Sequence, residues 1–424
     1  ISRNFFKNYI ICGNDIISLN ANILTIGNEL VSGFTLDTNS AWIGQKLTQC
    51  NIQVNKTYSV KDNHQLILSE LKNILDENPD FLFITGGLGP THDDITRNAI
   101  KEFFNLEEGF DSDYYEKLIQ KFAERGISIP ESNKSQALIY HNCQMLDNPK
   151  GTARGLFIKF KNTKVFVLPG VPIEMKAIFE NSIVTYLPKL DSNLVLTLRS
   201  FGIAESRLAE KLSSTLEKWE SKVSFAFLPS HKGVDLRLSL KDTKIDLNKV
   251  SQEIHNNFGQ YFFGKNEEKL EHVIVHKLIE KKWTFSVAES CTGGRLANYI
   301  TNIPCSSEVF LGGVVAYSNQ LKIDFLGVNK NSIEKFGAVS EEIAIQMAEG
   351  IKNKTNSDFG IGITGISGPT GGTAEKPLGL VYIAITFQNI TKVKNFTLKL
   401  DRKQHQEMTA YIALNMIRRY YFGK

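Results

Sequence analysis

The sequence predicts an α/β protein in which two three-layer α/β domains are joined by a smaller α+β domain. Three observations predict it. Short apolar runs of strand length alternate with longer segments of helical period through both ends of the chain. Several of those runs stop at glycine-rich turns, the place where open α/β sheets present ligand sites. Between the two ends, residues 191–264 follow a β-α-β-β-α pattern with no such turn. Length agrees, since 424 residues suffice for about three domains at roughly 150 residues each.

Residues 1–20 read as an extension: Arg3 and Lys7 precede apolar residues, but Asn14 and Asp15 interrupt any signal-like core. The first domain is expected over residues 21–190. It starts with a strand at Ala21–Gly27, a helix at Thr38–Cys50, a strand at Ile52–Val60 and a helix at Asn63–Glu77. A strand at Asp80–Thr85 runs into T-G-G-L-G-P-T-H-D-D (Thr85–Asp94), followed by a helix to Phe104. Strands at Gly155–Phe160 and Lys164–Leu168 pair and end in L-P-G-V-P. The expected sheet is largely parallel.

The middle segment gives a strand at Leu194–Phe201, a helix at Ala204–Trp219, strands at Val223–Leu228 and Val234–Leu240, and a helix at Leu247–Phe258. The third domain, residues 265–424, opens with an amphipathic helix at Glu267–Lys282 and a strand at Thr284–Ala288 that meets E-S-C-T-G-G (Glu289–Gly294). Strands at Glu308–Tyr317, Asp358–Thr364, Leu380–Phe387 and Val393–Leu400 alternate with helices at Ser340–Lys354 and Arg402–Tyr420.

Composition excludes several classes. Lys+Arg number 49 against 45 Asp+Glu, a net charge of +4, so no polybasic or polyacidic field exists. A 42% hydrophobic content supports several cores and argues against disorder. Five scattered cysteines without a C-x-x-C pair argue against a disulfide framework and a structural zinc, and a reducing cytoplasm is expected. The longest apolar runs, Val309–Tyr317 and Leu378–Phe387, are shorter than the ~20 residues of a membrane span and read as buried core strands.

Three constellations could do chemistry. In T-G-G-L-G-P-T-H-D-D, the glycines Gly86, Gly87 and Gly89 let backbone N–H groups approach an anion in a loop completed by Pro90 and Thr91, and Asp93 and Asp94 suit a divalent cation beside it. A plainer role gives Asp94 to a helix cap and the glycines to a tight turn. Ile26-Gly27-Asn28-Glu29-Leu30 and Pro169-Gly170-Val171-Pro172 follow other strands, so three loops, with Glu29 and Gly170, are expected to converge on one edge. In the third domain, Ser290, Ser306, Ser307, Tyr317 and Lys322 offer a hydroxyl nucleophile with a lysine base, there being no histidine between His276 and His405. Cys291 is a rival that needs an electropositive partner. Singly, each residue has an ordinary structural role as cap, core aromatic or solvated lysine. The turns around Thr292, Gly293 and Gly294, and I-T-G-I-S-G-P-T-G-G with Thr364, Gly365, Gly368, Gly371 and Gly372, leave room for a phosphate, ribose or oxyanion, with Lys376 nearby.

From about Ala21 onward the chain resembles full-length members of the CinA (competence/damage-inducible protein) family. I-G-N-E-L, T-G-G-L-G-P-T-H-D-D, L-P-G-V-P-I-E-M, E-S-C-T-G-G and I-T-G-I-S-G-P-T-G-G occur in that family's order. The resemblance implies a molybdopterin-binding-like domain, a small KH-like domain and a nicotinamide-nucleotide amidase domain. It implies a bifunctional hydrolase of pyridine-nucleotide salvage: a cation-dependent ADP-ribose pyrophosphatase at residues 21–190 and an amidase that converts nicotinamide mononucleotide to nicotinate mononucleotide and ammonia without a cofactor. Carried onto this chain, it marks Ser307 as nucleophile, Lys322 as base and Ser290 with Tyr317 as relay and positioning groups. Asp93 and Asp94 would hold the metal, whereas Asn28 replaces the aspartate usual in the G-D-E-L turn and weakens that site. The alternative is an amidase with a non-catalytic nucleotide- or pterin-binding first domain. A homodimer is expected by analogy. Nucleic acid is not an expected partner, because the middle unit lacks a G-x-x-G clamp.

Overall fold

The computed structural model describes residues 19–90, 95–124, 126–188, 194–241 and 245–423. These form two units that join in sequence at Val195–Leu196. The expected extension over residues 1–20 lies almost wholly outside the described residues.

In the first unit, β1 (Leu19–Ile26), β2 (Ile52–Val60) and β3 (Phe81–Thr85) alternate with α1 (Thr38–Gln49) and α2 (His64–Asp76). There follow α3 (Thr96–Phe103), β4 (Gln144–Leu146), β5 (Gly155–Phe160), β6 (Thr163–Leu168) and α4 (Pro172–Asn181). Asp37 and Asn63 start α1 and α2 by accepting from Ser40 and Leu66 backbone N–H groups. The strand order is β2-β1-β3-β6-β5-β4. Its first four strands are parallel, and β5 alone runs against them, pairing antiparallel with β6 and with β4, so the sheet is largely parallel with one reversed strand. The cause is local: Phe160 pairs directly with Thr163, and a two-residue turn, with Lys161 at φ 51, can only reverse the chain.

Period-2 alternation sends Leu24, Ile26, Leu82, Ile84, Val165 and Val167 to one face, under Ile67, Leu71, Ile74 and Ile100. Ile23, Phe81, Phe83, Phe166 and Leu168 face the other way, onto Ile43, Leu47, Met175 and Ile178. Both faces of β3 are therefore covered, and all five of its residues are buried. Residues 105–154, unassigned from the sequence, contribute β4 and a helix over Ser112–Ala123 capped by Asp111.

The second unit begins with β7 (Val195–Ser200), α5 (Glu205–Trp219), β8 (Val223–Ser230), β9 (Gly233–Leu240), α6 (Leu247–Phe258) and β10 (Phe262–Lys265). β10, absent from the pattern read in the sequence, is short and forms one edge of a sheet of order β8-β9-β7-β10. The chain continues through α7 (Leu270–Lys281), β11 (Phe285–Glu289), α8 (Arg295–Thr301), β12 (Phe310–Val315), α9 (Asn319–Leu326), α10 (Lys330–Phe336), α11 (Glu341–Thr355), β13 (Phe359–Gly365), β14 (Leu380–Phe387), β15 (Ile390–Thr397) and α12 (Arg402–Tyr421). The larger sheet has the order β12-β11-β13-β14-β15. β12, β11 and β13 are parallel, β14 pairs antiparallel with β13, and β15 pairs antiparallel with β14.

One face of this sheet packs Val287, Ile361, Ile363, Val381 and Ile383 against α7, α8 and α12. The other packs Ala288 against Ile343, Met347 and Ile351 of α11. α12 also ties the two sheets of this unit together. The buried Arg418 guanidinium donates to the Phe262 and Gln260 carbonyls, and Lys232 lies over the Tyr411 ring at 4.3 Å. Two strand expectations need correction. The hairpin before β15 turns at Gln388, φ 52, so the strand starts at Ile390 rather than Val393. β12 is not a buried core strand: it is a sheet edge, with Leu311 46% and Val315 43% exposed.

Candidate active sites

In the first unit the three expected loops do converge. Gly27 and Glu29, Gly86 to Pro90, and Pro169 to Pro172 line one cavity of about 490 Å³, bordered also by Asp37, Asp62 and Glu174. The packing explains why those loops are glycine-rich. Gly86 adopts φ 114, and a Cβ there would run into the Ile26 carbonyl oxygen; Gly170 faces the Gly86 Cα at a distance that leaves little room for a side chain. Asn39 on α1 fastens the loops by donating to Thr85 Oγ1 at 3.1 Å and to the Gly170 carbonyl at 2.7 Å. Thr85 in turn donates to the Pro169 carbonyl. Glu174 is engaged by Asn148 at 2.6 Å, and Asp37 is taken up in capping α1. Asn28 does not border the cavity; its backbone N–H donates to Asp62. Thr91, Asp93 and Asp94 lie outside the described residues, and among the described residues no three His, Cys, Asp or Glu side chains converge.

In the second unit, β11 delivers Ser290 to the carboxyl end of the sheet, where its N–H donates to the Ile363 carbonyl. The preceding Glu289 is buried, and its carboxylate accepts from the N–H groups of Gly294, Leu296 and Ala297 at 2.7–3.1 Å, capping α8. Gly293 and Gly294, at φ 60 and 89, make the turn between them.

Lys322 sits on α9, which Ser318 caps. Its side chain is 1% exposed, and its Nζ lies 3.3 Å from Ser290 Oγ, 2.8 Å from the Ala316 carbonyl and 3.4 Å from that of Tyr317. Burial disfavours the ammonium and pulls the lysine pKa down. Nζ donates to all three oxygens, which holds the amine against the Ser290 hydroxyl.

The remaining site residues divide. Tyr317 is 62% exposed, and its hydroxyl accepts from Arg402 at 2.9 Å rather than meeting Lys322. Ser307 stands apart. It lies in a short 3-10 turn ahead of β12, whereas Ser290 and Lys322 follow the carboxyl ends of the parallel strands β11 and β12. A six-residue strand puts roughly 20 Å between the two ends. Lys322 therefore cannot serve Ser307 as base within one chain, which corrects the expected division of labour: the buried amine belongs to Ser290.

Cys291 is no rival. Burial pushes its thiol up to about 12, so thiolate is scarce at neutral pH. Cys305 is exposed, at φ 64. Lys376 spends its ammonium on the Phe336 carbonyl. Thr364 donates to the Ala338 carbonyl, and Gly365 is required because a Cβ would meet Cys291 Sγ and the Leu380 carbonyl. Gly368, Gly371 and Gly372 lie in the loop that follows, with Gly372 against Leu378.

The sequence reading missed two residues. Arg402 donates to Tyr317 and, at 2.6 Å, to the Gly368 carbonyl. His405 is fully buried beneath the same loop: Nδ1 accepts from Ser367 at 2.9 Å, and Nε2 faces the Gly379 carbonyl. Both come from α12, far downstream of Ser290. The available signal was a cation in a helix's first turn, where the dipole opposes it.

Residues 267–421 match the CinA C-terminal domain, residues 22–189 the domain described as "Probable molybdopterin binding domain", and residues 196–264 the damage-inducible protein CinA KH domain. A CinA-like protein of Thermotoga maritima is 38% identical over 407 residues, spanning 95% of this chain and 98% of the relative. The chain belongs to the CinA family. A second CinA-like protein, from Kosmotoga olearia, is 36% identical over 408 residues, with 95% and 98% covered. Among solved structures, the competence/damage inducible protein of Agrobacterium tumefaciens is 37% identical and covers 35% of this chain and 91% of its own, with a TM-score of 0.34. The CinA protein of Thermoplasma acidophilum is 33% identical and covers 40% and 97%, with a TM-score of 0.36. Among the described residues no helix is long and apolar enough to cross a membrane.

Proposed function

We propose that the second unit of this CinA-family chain hydrolyses the carboxamide of nicotinamide mononucleotide, with Ser290 as nucleophile and Lys322 as its base. The observation that carries this reading is the buried Lys322 amine 3.3 Å from Ser290 Oγ. The neutral amine takes the serine proton as Oγ attacks the amide carbon, then returns it to the departing nitrogen, so ammonia leaves and an ester to Ser290 remains. Water, deprotonated by the same amine, cleaves that ester and releases nicotinate mononucleotide. The resemblance supplies the substrate; the lysine–serine pair supplies the chemistry. Ammonia release from nicotinamide mononucleotide tests it. Ser290→Ala is expected to lose at least ~10²-fold, and wild-type activity in that variant would overturn the assignment.

The first unit, in the same reading, hydrolyses the pyrophosphate of ADP-ribose with a divalent cation. Its support is the loop-lined cavity, where glycine backbone meets the carboxylates of Glu29 and Asp62, oxygen donors of the kind a hard cation prefers. The cation would offset charge on the phosphates. Asp93 and Asp94, which the resemblance gives as its ligands, lie outside the described residues. The second reading, a non-catalytic nucleotide- or pterin-binding unit, is favoured by the match to a domain described as "Probable molybdopterin binding domain". Chelation separates the cases: EDTA is expected to abolish ADP-ribose turnover and leave ammonia release intact. Turnover that survives EDTA overturns the cation; no turnover with any added divalent cation supports the binding reading. Both substrates are fragments of NAD, so one chain would serve pyridine-nucleotide salvage twice.

A further inference from the structure

Ser307 and the Ser290–Lys322 pair lie at opposite ends of one exposed strand. β12 is the outer strand of its sheet, so one row of its backbone N–H and C=O groups has no strand partner among the described residues. Phe310-Leu311-Gly312-Gly313-Val314-Val315 carries no proline and no charge, the usual guards of a free edge. A bulge at Leu311 leaves Gly312–Val315 in regular register with β11. The exposed Leu311 and Val315 are continued by the exposed Tyr317 and Phe325. Charge is split along the same strand. Glu308 is exposed before it, Arg402 is held beside Tyr317 after it, and neither enters an ion pair among the described residues.

We propose that β12 pairs antiparallel with β12 of a second copy of this chain, and that the pairing brings the partner's Ser307 to the Ser290–Lys322 site. Antiparallel pairing sets the residues ahead of one strand beside those following the other. The roughly 20 Å between Ser307 and Ser290 along one chain thus closes across the interface. The same reversal carries the partner's Glu308 toward Arg402, so opposite charges meet at both ends of a two-fold contact. Arg402 thereby gains a carboxylate partner, and the apolar edge is covered by its own copy. Each amidase site then contains Ser290 and Lys322 from one chain and Ser307 from the other. The shared site rests on the amidase reading; the strand pairing does not.

Two experiments on the full chain test this. Sedimentation is expected to show a dimer for the wild type and a marked shift toward monomer for Val315→Lys, which places an ammonium on the free edge. A monomeric wild type, or a Val315→Lys dimer of unchanged stability, overturns the pairing. The second experiment mixes Ser290→Ala with Ser307→Ala, each strongly impaired in ammonia release. With a shared site, the mixed dimer regains one intact centre, and activity rises to about a quarter of wild type at statistical exchange. No activity above that of the separate variants overturns the shared site. If the wild type itself releases no ammonia from nicotinamide mononucleotide, the amidase reading fails, and sedimentation still decides the pairing.

Discussion

Replacing Lys322 by methionine separates the chemistry of the second unit from its folding. The thioether keeps most of the length of the side chain and removes its bonds to Ser290 Oγ and the Ala316 and Tyr317 carbonyls. Loss of a general base costs ~10²–10⁴-fold in rate, or about 3–5 kcal/mol of transition-state stabilisation at 1.36 kcal/mol per decade. The two carbonyls lose a donor, at roughly 1–3 kcal/mol for groups left unpaired, while a desolvated amine is removed, so the net change in folding stability is small. The pH dependence adds a second signature. Because burial lowers the Lys322 pKa, kcat/KM should rise with pH through that lowered value and level off below the ordinary lysine range. Between the two values the unfolded chain binds the extra proton, so wild-type stability also rises with pH there, and the methionine variant lacks that component. Lys322→Arg stays charged throughout and should show no rise. Ammonia release measured from neutral pH upward, with a thermal melt beside it, checks all three. Wild-type kcat/KM in Lys322→Met, or a profile that does not respond to pH, would refute the reasoning.

Glu289→Gln presents an amide N–H₂ to a cradle of three backbone donors, so it should cost about 2–4 kcal/mol of stability and displace Ser290; a melt together with ammonia release tests both effects. Cys291→Ala should keep activity within a few-fold, and iodoacetamide should leave the wild type active, since the thiol is protonated and buried; inactivation that tracks alkylation of Cys291 would contradict this. Asn39→Ala cuts the ties to Thr85 and Gly170, which should cost about 1–3 kcal/mol and weaken ADP-ribose turnover while leaving ammonia release unchanged.

The glycine turns were legible because their physical reason is local. Gly86 must let the backbone pass the Ile26 carbonyl, and Gly293 and Gly294 need positive φ, whatever else surrounds them. Strand direction was not legible at the same sites. Ser307 and Lys322 lie close in sequence, yet β12 runs between them, and only the parallel register of β11 and β12 puts Ser290 with Lys322. The edge position of β12 was hidden for a related reason, because Phe-Leu-Gly-Gly-Val-Val reads as a buried run whether or not a neighbour covers it. Arg402 and His405 were missed because α12 returns to the site only through the tertiary fold, and a buried histidine beneath a glycine loop has no periodicity to betray it. The hairpin joining β14 and β15 was not legible because its two-residue turn at Gln388 carries neither Asn-Gly nor Gly-Gly.

The nucleophile can be located directly by quenching the enzyme in acid during turnover of nicotinamide mononucleotide and mapping the modified peptide by mass spectrometry. The Ser290–Lys322 pair predicts an ester whose added mass is the nucleotide less ammonia, on the peptide holding Ser290 and absent in Ser290→Ala. The same adduct on Ser307, or its persistence in Ser290→Ala, would contradict the account.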